Sequence, residues 1–593
     1  MKKLKHYLKP FLGRILTSFI LIFFLALINA FIPLFEGKYI ISFINKNFDN
    51  NDKNLKDYMF HMYFFLSINL LLYIFCTMGK FIYNRFLITA IHSVIKNIRQ
   101  DMQKKIHKLP IQYFDQNTVG NIMSRMTNDM DVVSNGLQQS CATLITSIFN
   151  ILMLVILMFW TNLRLGIVVC SMIPMSLLTI FIINHKSRNI FIQRFEKSGE
   201  YNGFLQEKYM GHQEIILYNQ QDNMIKEFQI LNRDFSNIIF KSNFLSGLVV
   251  PIVNSFTYII LSVMILLGFF LTHPEIAMPV LLSRLGFVVI EVGVFQAFIQ
   301  YIWRLGNPIN DLSQIFVILQ STKAAFIRIF TFLNESEETE SSENIILNDV
   351  EGKINFINVT FGYYKHQPII KNMNLQVLPK QTVAIVGSTG SGKTTLINLL
   401  TRFYDIQEGM ITIDGVDICK IKKTNLRKIL GIVFQDIWLF HGTILDNLRY
   451  GSFHKTKEQV IAAAKQTKIH DFIMAKKDNY QTIIGEELDN LSQGEKQLIS
   501  ITRTLLYEPN ILILDEATST IDTQIEAILQ KSIQKILQKT TSFVIAHRLS
   551  TIVNADMIIV LKNGIIVEQG KHQNLLEKKG FYYNLYISQF QNS

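Results

Sequence analysis

The chain has 593 residues, of which 49% are apolar and only 18% charged, against about 25% charged in ordinary soluble domains. With 45 phenylalanines and a positive mean hydropathy, this composition argues against a wholly soluble or disordered chain and suits one partly embedded in a membrane. The net charge of +12 comes from basic residues that flank apolar runs, which favours an anionic membrane face over nucleic acid. The four cysteines, Cys76, Cys141, Cys170 and Cys419, are scattered and form no C-x-x-C pair, a spacing that argues against the zinc, disulfide and redox-motif readings.

A basic N-terminus with Lys2, Lys3, Lys5, Lys9 and Arg14 leads into an uncharged run over residues 15–35. The run exceeds the ~7–15 residues of a signal-peptide core and has no small-residue cleavage site, so it predicts a retained transmembrane helix. Further uncharged runs cover residues 58–79, 132–163, 165–185 and 242–274. A sixth, 276–303, is interrupted by Arg284 and Glu291. Arg164 alone separates the third and fourth runs, which predicts a hairpin turning near residues 160–164. A span takes ~20 residues, so the third and fifth runs project beyond the bilayer. Arg284 and Glu291 are seven apart and are expected near one helix face, as a substrate or gating contact or as a structural ion pair.

Two long charged segments, 80–131 and 186–241, separate these runs. The first carries Lys96, Arg99, Lys104, Lys105 and Lys108, the second Lys186, Arg188, Arg194 and Lys197. The positive-inside rule places both, with the N-terminus, in the cytoplasm. The pattern Val94, Ile95, Ile98, Met102 predicts helices continuing out of the membrane, with tips near the breakers Pro110, Gly120 and Gly211. Residues 334–344, acidic and serine-rich, read as a solvated linker. The expected domains are 1–333 with six membrane helices, a linker over 334–349, and 350–593.

From residue 350, short apolar runs alternate with helical patterns, which predicts an α/β domain with a largely parallel core sheet. Residues 387–395 read GSTGSGKTT and match G-x-x-x-x-G-K-[ST], between an apolar β-branched run and a helix-compatible one. The backbone of Gly387, Ser388, Thr389, Gly390, Ser391 and Gly392 can turn N–H groups inward as an anion cradle. Lys393 can reach the β- and γ-phosphates of ATP, and Thr394, followed by Thr395, can place its hydroxyl on Mg²⁺. Upstream, Phe361 and Tyr363 are either half-buried strand residues or a stacking surface for a base. Gln435 follows the apolar run 432–434 and sits where ligands bind in open α/β sheets. In the motif LSQGE (491–495), Ser492 and Glu495 have capping-box spacing, and the same helix N-terminus can bind an anion. The run ILILDE (511–516) ends in Asp515, suited to Mg²⁺ through water, and Glu516, suited to orient or deprotonate the attacking water. His547 ends a further strand, which brings it toward the same edge as Gln435 and Glu516, and Asn563-Gly564 marks a hairpin.

Over nearly its whole length the chain resembles ATP-binding cassette exporter half-transporters, with a helical transmembrane domain followed by an α/β P-loop ATPase domain. The resemblance implies that Tyr363 is the adenine-stacking aromatic, 387–394 the Walker A loop, Gln435 the Q-loop glutamine and LSQGE the signature. It further implies that Asp515 and Glu516 are the Walker B pair, 519–522 the D-loop and His547 the switch histidine. The stretch holding Phe114, Asp115, Gly120, Arg125 and Asp129 is similar to the first coupling loop, and that near Gly211 to the second. In such a family two nucleotide domains face head to tail, and each ATP lies between one chain's phosphate loop and the other's signature residues, here Ser492 and Gly494. ATP closes the dimer, hydrolysis reopens it, and the membrane helices alternate their access.

One departure is that Gln493 and Glu495 replace the usual Gly and Gln of the signature. A carboxylate at 495 would repel the γ-phosphate of the facing site unless a capping bond holds it away. The pattern is similar to the subunit with the intact catalytic Glu in bacterial heterodimeric multidrug exporters, so a heterodimer with a second half-transporter is expected. The expected function is ATP-driven export of small hydrophobic or amphipathic compounds across the cytoplasmic membrane. A lipid flippase or a peptide exporter of the same architecture is the alternative. No peptidase domain precedes the first span, which disfavours peptide maturation, and nucleic acid is not an expected partner.

Overall fold

The computed structural model describes all residues except 1–5, 49–54, 273–279, 286, 339–342, 365, 486–490, 516–530, 546–551 and 589–593. These residues form two units, one of 1–107 with 118–335 and one of 108–117 with 336–593.

The first unit is helical. Helix α1 (Leu12–Phe35) runs through a π-type turn at Glu36–Ile41 into α2 (Ser42–Phe48). Helix α3 (Leu55–Ile106) follows, and then the short α4 (Ile111–Gln116), which belongs to the second unit. Next come α5 (Val119–Met126), α6 (Asn128–Thr161), α7 (Leu163–Cys170) and α8 (Met172–Met210). The unit closes with α9 (His212–Leu217), α10 (Gln221–Gly247), α11 (Val249–Thr272), α12 (Val280–Arg284) and α13 (Val292–Asn334). The predicted short turn between the third and fourth runs is a single residue, Asn162. Its side-chain oxygen accepts the amides of Arg164 and Leu165 at 3.1 and 3.2 Å and so starts α7. The charged segments are indeed helical, broken where Pro110 and Gly211 stand.

Five described stretches are long and apolar enough to cross a membrane: His6–Asn45, Met59–Ile106, Val119–Thr161, Leu163–Ser187 and Gln221–Thr272. The expected sixth span differs. Helix α12 stops at Arg284, residues 287–291 are non-helical, and the long α13 begins at Val292. Arg284 and Glu291 therefore do not share a helix face as expected from their spacing. Tertiary contacts set this start. The Ile290 amide donates to the Leu271 carbonyl at 2.9 Å, and Ser42 Oγ donates to Glu291 Oε2 at 3.2 Å. At the start of α13 a Cβ on Gly293 would fall 1.9 Å from the Gly37 carbonyl oxygen, so only glycine permits this approach of α13 to the π-type turn.

The second unit is built on sheets. The strands are β1 (Ile354–Phe361), β2 (Ile370–Val377), β3 (Thr382–Val386), β4 (Glu408–Ile413), β5 (Val416–Asp417) and β6 (Leu430–Val433). They continue with β7 (Gly442–Thr443), β8 (Ile483–Ile484), β9 (Ile511–Asp515), β10 (Thr541–Ile545), β11 (Met557–Lys562) and β12 (Ile565–Gly570). The main sheet has the order β12-β11-β3-β10-β9-β6, and all of its pairs except β11–β12 are parallel. Its central strands are buried along nearly their whole length, as an apolar parallel sheet covered on both faces requires. The predicted Asn563-Gly564 turn joins β11 to β12, with φ of +50° and +81°. An antiparallel sheet, β2-β1-β4-β5, packs its apolar face into one of the two clusters of this core.

Candidate functional site

Because β3, β10, β9 and β6 run parallel, their C-terminal ends open on one edge of the sheet. The phosphate loop follows β3, Asp515 ends β9, and Gln435 stands two residues beyond the end of β6. Glu516 and His547, and residues 519–522, lie outside the described residues. In the chain, Glu516 and 519–522 come after β9 and His547 after β10, the two strands that end at that edge.

The loop is built as its glycines require. Gly390 and Gly392 have φ of +78° and +105°, which exposes successive amides on one side, and Gly392 starts helix α14 (Lys393–Leu400). Ser388, Thr389, Gly390 and Thr394 are exposed, and Thr395 is buried under them. Lys393 Nζ donates to the carbonyl oxygens of Gly387 and Ser388 at 2.8 and 3.0 Å, which curls the ammonium over the loop. Burial pushes the Lys393 pKa down, and the carboxylate of Asp515 opposes that shift. An anion arriving there would relieve the desolvated charge. The buried Ser391 Oγ has no hydrogen-bond partner among the described residues. An orphaned hydroxyl inside an amide-lined loop fits a site shaped for phosphate. The donor set of Thr394, Gln435 and Asp515 is all oxygen, which suits Mg²⁺.

Tyr363 is half-buried just beyond β1, and its hydroxyl accepts from Asn398 Nδ2 of α14 at 3.1 Å. Its ring meets Phe361 and Tyr404 edge to face, with centroids 5.3 and 4.9 Å away. It is thus fixed to the helix that starts at the phosphate loop, and it lines a cavity of about 390 Å³ with Arg402 and Tyr404.

Pro110 and Gln112 line that cavity too. Asp115 of α4 accepts a short hydrogen bond from the Tyr404 hydroxyl, and the Lys108 carbonyl accepts the Glu338 amide at 2.7 Å. Burial, together with Asp115, raises the Tyr404 pKa and keeps its phenol a donor at physiological pH. Glu338 pairs with Lys423 and Arg427 at 3.0 and 2.5 Å, and these cations outweigh burial to hold its carboxyl below the usual range. Sequence reasoning placed Asp115 in a coupling loop but missed Tyr404, whose one signal was an aromatic four residues past α14. Tyr404→Phe is expected to speed amide exchange across 108–117 by about 10-fold, as the loss of one charged hydrogen bond predicts. Exchange in β3 and β9 should hardly change, and mass-spectrometric hydrogen exchange checks both.

The signature segment starts helix α15 (Gln493–Tyr507), with Ser492 exposed at its N-cap and Gly494 buried. The capping box is formed. Ser492 Oγ accepts the Glu495 amide at 3.3 Å, and Glu495 Oε2 accepts the Ser492 amide at 2.6 Å. The Glu495 carboxylate is thereby turned back onto its own helix start, while the Ser492 hydroxyl donates to none of the described residues.

An apolar helical unit fused to a phosphate-loop ATPase unit defines an ATP-driven membrane transporter. Residues 16–293 match the family described as ABC transporter transmembrane region, and residues 370–519 the one described as ABC transporter. A fatty acid ABC transporter ATP-binding/permease protein of Mycobacterium bovis is 36% identical over 523 residues, 88% of this chain and 80% of that protein. An ATP-dependent lipid A-core flippase of Syntrophus aciditrophicus is 32% identical over 498 residues, 84% and 80% of the two chains. The fold is similar to a bacterial Atm1-family ABC exporter with ATP bound, with a TM-score of 0.78 at 24% identity over 98% of both chains. This chain belongs to the ABC transporter family. It is a multi-pass exporter half-transporter of the cytoplasmic membrane that works as a dimer and hydrolyses ATP to drive transport.

Proposed function

We propose that the chain exports hydrophobic or amphipathic compounds, with ATP binding and hydrolysis at a nucleotide-domain dimer driving alternating access. The domains are 1–333, a linker over 334–349, and 350–593. In this reading Lys393 holds the β- and γ-phosphate oxygens, the loop amides from Gly387 to Gly392 cradle them, and Tyr363 stacks on adenine. Thr394, Gln435 and Asp515 would hold Mg²⁺, which neutralises phosphate charge when bound. Glu516 orients or deprotonates the attacking water, and His547 faces the γ-phosphate. The partner's ATP meets Ser492 and Gly494. The observation that carries the reading is the shared sheet edge of the phosphate loop, Asp515 and Gln435, in a chain with five membrane-length apolar stretches among the described residues. The lipidic substrates in the names of two relatives favour an amphipathic cargo.

We further infer a heterodimer. The turned-back Glu495 removes most of the repulsion from the facing site but leaves a signature short of one glycine, which suits the less active site of an unequal pair. Reconstituting the chain alone and with the half-transporter that co-purifies with it tests this. The pair should pump a fluorescent amphiphile into inverted vesicles with ATP, at about 10-fold the rate of the chain alone. Full substrate-stimulated ATPase from the chain alone would reject the heterodimer. No ATP-driven uptake by either preparation would reject export.

A further inference from the structure

The sequence marks Lys80 as the first residue of a cytoplasmic segment and ends the sixth apolar run at residue 303, just before Arg304. The structure brings both cations beside the middle of the first apolar run. Next to Lys80, the Cα of Gly79 packs so closely on Leu25 that an added Cβ would lie 2.5 Å from a Leu25 methyl. Leu25 is the midpoint of the uncharged run 15–35. Arg304 Nη1 donates to the Asn29 carbonyl at 2.7 Å, one helical turn further along the same run. Both charges lie within Coulombic reach of the Cys76 sulfur.

Lys80, Asn29, Thr146 and Asn150 line a cavity of about 230 Å³ whose other wall is aliphatic side chains of α1. No carboxylate lines it. Among the described residues Lys80 makes no hydrogen bond or ion pair, and neither does the Asn150 amide. Among the described residues, Glu36 is the acid that Arg304 reaches through a hydrogen-bond chain, and it is already engaged. It accepts from Asn69 at 2.9 Å, Tyr73 at 3.0 Å and Gln300 at 2.6 Å, and Arg304 reaches it only through the Tyr73 hydroxyl at 3.0 Å. Lys80, Arg304 and Glu36 together carry a net positive charge beside the middle of a candidate membrane span, where an uncompensated cation is costly and marks a ligand path. Apolar wall and spare donors together fit an acid with a hydrocarbon tail.

We propose that Lys80 and Arg304, with the amides of Asn29 and Asn150, bind the anionic headgroup of an amphipathic substrate, a carboxylate or a phosphate. The proposal names the substrate class for the export reading above and rests on it. The full chain, with any co-purifying partner, is placed in phosphatidylcholine nanodiscs and titrated with decanoate, decyl phosphate and decanol. The acids should bind saturably and at least about 10-fold more tightly than the alcohol. Lys80→Gln and Arg304→Gln should each weaken decanoate binding by about 10-fold, while Lys80→Arg retains it and so excludes misfolding. Tighter binding of decanoate identifies a fatty-acid-like source, tighter binding of decyl phosphate a lipid phosphate, and either supports the site. Equal affinity for acid and alcohol, or an unchanged decanoate Kd in both glutamine variants, overturns it. ATP-driven uptake of a neutral dye separates the two readings. Uptake without acid preference sinks the site alone, and Lys80-dependent acid binding without any uptake sinks the exporter alone.

Discussion

Lys393→Ala is expected to weaken ATP binding by about 10- to 100-fold and to bring ATP turnover and transport to background. The lower figure for affinity follows from the loss of one charge-assisted hydrogen bond to phosphate. Turnover falls further because charge on the γ-phosphoryl oxygens rises toward the transition state, where a fixed ammonium acts most strongly. The Lys393 ammonium is already at the loop, held by the Gly387 and Ser388 carbonyls. ATP binding exchanges those two bonds for phosphate oxygens, so little side-chain ordering is left to oppose it. Equilibrium binding of a fluorescent ATP analogue and phosphate release, measured on the same reconstituted sample, check the two effects separately. Parent-like turnover would remove the loop from the catalytic site and with it the link between ATP and transport.

The features legible in the sequence are those fixed over a few residues. The phosphate loop, the Ser492–Glu495 capping box and the Asn563-Gly564 hairpin are each decided by local backbone geometry, and each stands where its spacing puts it. The parallel sheet was legible because doubly buried strands have a distinct composition. What was hidden depends on partners distant in the chain. The Tyr404–Asp115 bond joins residues 289 apart and draws α4 into the ATPase unit. The start of α13 is set by Gly37 and Ser42 from the far end of the unit, so the run 276–303 could not reveal it. Lys80 and Arg304 were read as flanks of apolar runs because hydropathy counts residues along one helix and not the depth at which its neighbour lies.

Asp129 shows a further layer of the same dependence. It is 3% exposed and accepts Arg328 Nε at 2.8 Å, with a second, shorter bond to the same guanidinium. The bidentate pair ties the start of α6 to the far half of α13. Within the stretch 114–129, Asp115 is held inside the second unit and Asp129 inside the first.

Glu516→Gln carries the second large effect: ATP still binds, and turnover falls by about 10²- to 10⁴-fold, the range for removing a general base. The amide keeps the size of the carboxylate and one acceptor oxygen but cannot take a proton from water. Ile545 is opposite Asp515 in the β9–β10 register, and Glu516 is the next residue in the chain. Asp515 stays behind with its charge beside Lys393. Nucleotide affinity should then survive a change that stops chemistry, and ATP should accumulate in the closed dimer. Trapped nucleotide counted per dimer checks this directly. The heterodimer reading sharpens the expectation. If the pair has one hydrolytic site, Glu516→Gln in this chain alone arrests it, and an equivalent change in the partner does not. A variant that turns over ATP within about twofold of the parent would move the water-activating role away from Glu516, because no proton-transfer step of that size can be lost so cheaply.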